Sequence, residues 1–165
     1  MATPTNLPAS FVSGAILTAA QQNDLRGAFR VLQVIYSTTA TFATFGDTTY
    51  ADSNLTATIT PQSTTSKILV LAFNNGAVRG AEDSGNDLNL RIVRGATQIL
   101  EVLGFGATGT ALLQIGTVPM QVLDEPASIS ALTYKVQGKN GRVGSTVGVQ
   151  YQSTTSTLVL MEISA

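Results

Sequence analysis

The chain of 165 residues has no cysteine, no histidine and no tryptophan, and it is poor in charge. Each absence closes off chemistry. Without cysteine there are no disulfide staples, thiol nucleophiles or thiolate metal sites, so stability has to come from packing and assembly. Without histidine there is no imidazole base, no Ser-His-Asp triad and no histidine metal ligand, which removes most hydrolase mechanisms. Only carboxylate catalysis of the glycosidase kind survives in principle. No catalytic residue, cofactor or metal ligand is assigned, and the chain is expected not to be an enzyme.

Charged residues make up 12% of the sequence, where about 25% is usual, while the hydrophobic fraction of 44% is ordinary. Thr, Ser, Gln, Asn and Gly fill the difference. A surface with so few charges, and a net charge of -1, is weakly protected against association, so much of it is expected to be covered by other subunits. The nine Lys and Arg residues are scattered and form no basic stripe, which argues against nucleic acid as the partner. The longest apolar run, residues 68–73, falls far short of the roughly 20 residues of a membrane helix. The N-terminus carries neither the basic region nor the apolar core of an export signal. The expectation is a soluble chain made in the cytoplasm, with no membrane partner.

What is present divides the sequence in two. Residues 1–30 are expected to form an arm and a short amphipathic helix, and residues 31–165 a β-domain. Pro4, Pro8 and small polar residues favour an extended start. Thr18 with Gln21 three positions later has the form of a capping box, and Leu25, Phe29 and Leu32 then follow at helical spacing. Two readings of this segment stay open. Phe11, Leu17, Leu25 and Phe29 either dock onto a partner or fold back onto the β-domain as core.

From residue 31 the pattern changes to short β-branched and aromatic runs: 31–36, 41–45, 55–60, 68–73, 88–93, 98–103, 111–115, 129–137, 143–151 and 158–163. Clusters of Gly, Asn, Asp and Ser separate them, the spacing of a sandwich or barrel. Leu88, Leu90 and Ile92 alternate with Asn89, Arg91 and Val93, as in a strand with one face in the core. Asn140-Gly141 between two runs predicts a hairpin. Gln62-Ser63-Thr64-Thr65-Ser66 before Ile68 is echoed by Gln152-Ser153-Thr154-Thr155-Ser156 before Leu158, and each is taken as a turn feeding a buried strand.

Three patterns suggest chemistry and are assigned structural roles. Gly104-Phe105-Gly106-Ala107-Thr108-Gly109 matches GxGxxG, with Asp124 twenty residues beyond Gly104. The dinucleotide mechanism needs a following helix, for which Gly116 and Pro119 leave no room. Glu82, Asp83 and Asp87 match no EF-hand spacing and are assigned to a solvated turn. Asp124-Glu125-Pro126 is assigned to a loop, since adjacent carboxylates diverge.

The stretch Gly14-Ala15-Ile16-Leu17-Thr18-Ala19-Ala20-Gln21-Gln22-Asn23-Asp24-Leu25-Arg26 resembles the G-x-x-L-T-A-A-Q-L-N openings of tailed-bacteriophage virion proteins, departing from them at Gln22. The C-terminal Ser156-Thr157-Leu158-Val159-Leu160-Met161-Glu162-Ile163 is similar to β-rich phage proteins that end in a Thr/Ser turn and an apolar strand with glutamate. The resemblance implies an antiparallel β-sandwich of jelly-roll type and a homotrimer of the kind found on phage heads and tail fibres. It implies a head-decoration, or cement, protein on the outer surface of the head, with the major capsid protein as partner. The alternative is a receptor-binding tip or knob of a tail or head fibre, whose loops contact host glycans. The absence of Trp and the presence of only four Tyr tilt the balance towards cement.

Overall fold

The computed structural model describes residues 31–80, 85–105 and 113–164, together with Gly14, Ile16, Thr18 and Ala19. The expected arm and helix otherwise fall outside the described residues. Among the described residues each run of β-branched and aromatic side chains overlaps a strand, although of 143–151 only Val147–Val149 is strand and Tyr151 opens a 3-10 turn. The ten strands are β1 (Val31–Thr39), β2 (Ala43–Phe45), β3 (Ala51–Ile59), β4 (Lys67–Arg79), β5 (Leu88–Arg94), β6 (Thr97–Phe105), β7 (Leu113–Asp124), β8 (Leu132–Asn140), β9 (Val147–Val149) and β10 (Ser156–Ile163).

They form the two antiparallel sheets of a β-sandwich. One holds six strands in the order β1-β10-β4-β9-β2, with β7 on the other edge of β4; the second holds four in the order β3-β8-β5-β6. β4 is thirteen residues long and has two partners along one edge. Its first half pairs with β10 from Lys67 to Phe73, and its far end, Val78 and Arg79, pairs with β9. The alternation of inward and outward residues places Val70, Ala72, Leu158, Leu160, Leu90 and Val136 in the shared core. Burying each of the Val and Leu side chains contributes about 1.5–3 kcal/mol.

Two sequence expectations need correction. Asn140-Gly141 does not turn a hairpin, because β8 pairs with β3 and β5 whereas β9 pairs with β2 and β4. The segment crosses from one sheet to the other. The Asn140 side chain is buried and donates to Asn86 Oδ1 at 3.2 Å and to the Ser145 carbonyl at 2.9 Å, and Gly141 N donates to the Asp87 carbonyl at 2.9 Å. The observed two-residue hairpin is Gly95-Ala96 between β5 and β6, with Gly95 at φ 58°. The second correction is the bounds of the run read at 111–115, which is the strand β7, Leu113–Asp124, running on through Gly116 and Pro119. Among the described residues its strand partner is β4 alone, and a strand edge without a ladder partner tolerates the missing proline N–H.

Candidate functional site

The outer face of the six-stranded sheet carries an apolar patch, bordered by the Lys67–Glu125 ion pair. Register places Val34, Met161, Leu69 and Leu123 in one row across β1, β10, β4 and β7, and Tyr36, Val159, Leu71 and Gln121 in the next. A third row holds Thr38, Thr157, Phe73 and Pro119. Tyr36 is 64% exposed, Val34 53%, Leu123 49% and Phe73 44%, while the central Val159, Met161, Leu69 and Leu71 are half-buried by one another. Strand and residue spacings make this face about 20 Å across and about 20 Å along the strands. A contiguous apolar patch of that order marks an interaction surface. Between β4 and β7 it holds a hollow of about 320 Å³ lined by Leu71, Phe73, Pro119, Met120 and Gln121.

The outer face of the four-stranded sheet is the opposite in character. Asp52, Gln137, Arg91 and Glu101 lie in one row across β3, β8, β5 and β6. Lys135 and Gln137 donate to Asp52 at 2.7 and 2.6 Å, and these bonds, Gln137 first, hold its carboxyl below the ordinary value. The Tyr50 hydroxyl donates to Glu101 at 2.5 Å, which lowers the Glu101 pKa. Burial, and then the Glu101 bond, push the Tyr50 phenol upward. The Arg91 guanidinium lies 4.0 Å and the Lys139 ammonium 4.6 Å from the Tyr50 ring centroid. This network keeps one broad face wetted.

Among the described residues two carboxylates are buried. Asp124 ends β7 rather than sitting in a loop as expected; it accepts from Arg94 Nη1 at 2.5 Å and from the Tyr134 hydroxyl at 2.7 Å. Its neighbour Glu125 is exposed and pairs with Lys67 at 2.6 Å, so the two carboxylates do diverge. Glu162 on β10 accepts from Gln33 Nε2 at 2.6 Å and from the Gln62 backbone N–H at 2.7 Å. Asp124 takes both donors on one oxygen and Glu162 one on each, and these bonds tie β7 to β5 and β8, and β10 to β1 and the segment before β4.

A groove of about 470 Å³ lies where β4 and β7 lose register, lined by residues that include Asn75, Gly76, Gln114, Thr117, Tyr151 and Gln152. Its wall is a short 3-10 turn, Tyr151–Ser153. Gln150, Gln152 and Ser153 all take left-handed backbone, at φ 62°, 55° and 59°, a conformation costing of order 1–3 kcal/mol per non-glycine residue. Sequence reading took this segment only as a turn before a strand. Three separate stretches of chain build the groove, and no local pattern announces that.

The residues singled out for docking, Phe11, Leu17, Leu25 and Phe29, lie outside the described residues, as do Glu82, Asp83 and residues 106–109 of the glycine-rich pattern. Gly104 closes into β6, its N–H donating to Asn89 Oδ1 at 2.8 Å, and the chain is next described as strand β7. Among the described residues no three His, Cys, Asp or Glu side chains are grouped to hold a metal ion. The apolar sheet face was missed, although a signal existed. Residues 68–73 and 158–161 are apolar without alternation, which is how a strand with two apolar faces is written.

No protein-family model matches the chain, and no curated protein is similar to it. Among solved structures it overlays on dimeric latent PorU from Porphyromonas gingivalis with 11% identity and a TM-score of 0.37, covering 82% of this chain and 14% of that one. It also overlays on a chain from the structure of infectious bursal disease virus Gx strain with 12% identity and a TM-score of 0.36, covering 96% of this chain and 42% of that one. The chain therefore spans well under two thirds of the length of either. Overlays of this extent assign no function.

Proposed function

We propose that the chain is a structural protein of a tailed-phage virion, a head-decoration protein that works as a homotrimer on the outer surface of the capsid. The observation that carries the assembly part is the apolar patch on the outer face of the six-stranded sheet, set against a row of charged and polar side chains on the outer face of the other sheet. A three-fold ring joins unlike patches of neighbouring subunits. This face offers two such patches on opposite edges: the exposed Tyr36 on β1 and the hollow between β4 and β7. An aromatic anchor filling a neighbour's apolar pocket is the usual centre of a protein interface.

The virion setting rests on the resemblance of residues 11–30 to tailed-phage openings. In this reading Phe11, Leu17, Leu25 and Phe29 dock at junctions between major capsid protein subunits. The function is mechanical and needs no cofactor or reaction. A protein that binds the assembled shell, and not its separated subunits, stabilises the shell by mass action. The charged face of the four-stranded sheet then points to solvent, where its ion pairs stay hydrated.

Immunogold labelling of intact virions with an antibody against this chain tests the proposal. Label distributed over the head is the expected result. Label confined to fibre tips, or none on the particle, would overturn it.

A further inference from the structure

We propose that the groove beside the 3-10 turn binds a neutral carbohydrate. Its floor is built to hold shape. β4 slips register against β7 between Asn74 and Ala77 and again between Ala77 and Val78, the signature of bulges that re-aim side chains. At Gly76, φ 61°, a Cβ would lie 2.0 Å from Thr154 Oγ1 and 2.7 Å from Tyr151 N. The turn is therefore pressed directly onto the backbone of β4. Behind it the buried Gln150 amide anchors the turn: its oxygen accepts from Ser156 Oγ at 2.8 Å, and its nitrogen donates to the Val149 carbonyl at 3.0 Å and the Thr41 carbonyl at 3.3 Å.

The lining decides the ligand class. The residues that line it carry amides and hydroxyls, at Asn75, Gln114, Thr117, Gln152 and Thr154, and one carries a phenol, Tyr151. No charged side chain lines it among the described residues, so an anionic or cationic ligand would lose its hydration without gaining a counter-charge. A purely apolar ligand would strand the amides. A pyranose suits both halves of the lining, with hydroxyls round its rim for the amides and a C–H face for an aromatic ring. The Tyr151 ring is held by Phe42 in an edge-on contact at 5.5 Å and 66°.

Part of the polar lining is already positioned and part is free. Thr117 Oγ1 donates to Asn75 Oδ1 at 2.7 Å while Asn75 Nδ2 donates to the Thr155 carbonyl at 2.6 Å. Among the described residues the Gln114 and Gln152 amides and the Tyr151 hydroxyl make no hydrogen bond. The volume of about 470 Å³ falls in the range of about 300–1,000 Å³ usual for small-ligand sites. Strained backbone is characteristic of places where side chains must be held for a ligand, and Gln152 and Ser153 supply it here. The groove shares no residue with the three apolar rows, so this proposal can fail while the assembly reading stands, and the reverse.

The test applies the full chain to a printed array of glycans ending in glucose, galactose, mannose or N-acetylhexosamine, alongside sialylated and sulfated ones. Binding to neutral glycans is expected, followed by titration with the best of them. Tyr151→Ala and Gln114→Leu should each weaken it about tenfold or more, and Gln98→Ala on the opposite sheet should leave it unchanged. Gln114 is exposed on a strand, so its variant decides the matter if Tyr151→Ala does not fold. Absence of binding, binding of anionic glycans alone, or binding indifferent to Gln114→Leu would each overturn the proposal.

Discussion

Asp124 receives the Arg94 guanidinium and the Tyr134 hydroxyl on one oxygen, and the three side chains join the ends of β7, β5 and β8. Asp124→Ala leaves a largely buried cation and a buried phenol without their acceptor, and should destabilise the fold by about 3 kcal/mol, read by urea unfolding. The same site sets an alkaline limit. Burial first, and then the bond to Asp124, raise the Tyr134 phenol above its ordinary value of 10.0. An unfolded chain releases that proton near pH 10 and the folded one holds it. The contribution is therefore complete below pH 10 and is lost as pH rises through the folded value. Tyr134→Phe should lose less stability than the parent between about pH 8 and about pH 11, measured by urea unfolding at both. Loop assignment of Asp124 failed at this scale because sequence proximity to Glu125 and Pro126 says nothing of Arg94, thirty residues away.

Among the elements, three-residue β2 packs Ala43 and Phe45 into the shared core. The Phe45 ring lies over Gly138 of β8, with ring atoms 2.2, 2.5 and 2.7 Å from where a Cβ would stand. Gly138→Ala should displace the ring and cost about 2 kcal/mol, seen as a lowered thermal midpoint. Strand positions were legible from β-branched runs, since local periodicity carries that information. Their partners were not: β1 pairs with β10 from the far end of the chain, a contact no local pattern encodes. The Asn140-Gly141 signal misled because the Asn side chain serves tertiary bonds instead of a tight turn. The run read at 111–115 extends to Asp124 because an edge of β7 was available to receive Pro119.

At the scale of the whole molecule, the two broad faces of the sandwich are chemically unlike, and that polarity is the basis of the assembly reading. Low charge content pointed to covered surface, and the non-alternating runs at 68–73 and 158–161 held the location of the patch. Periodicity tells which residues share a face, but not whether a second sheet or a second subunit covers it. The groove was illegible for another reason, since it needs the left-handed backbone at Gln152 and Ser153, which their residue types do not announce. Val159 sits at the centre of the apolar rows, so a charge there should break association without touching the core. Sedimentation equilibrium of the full chain and of Val159→Glu tests the assembly most directly. The account predicts a trimer for the parent and a folded monomer for the variant; a monomeric parent, or a trimer that survives the substitution, would contradict it.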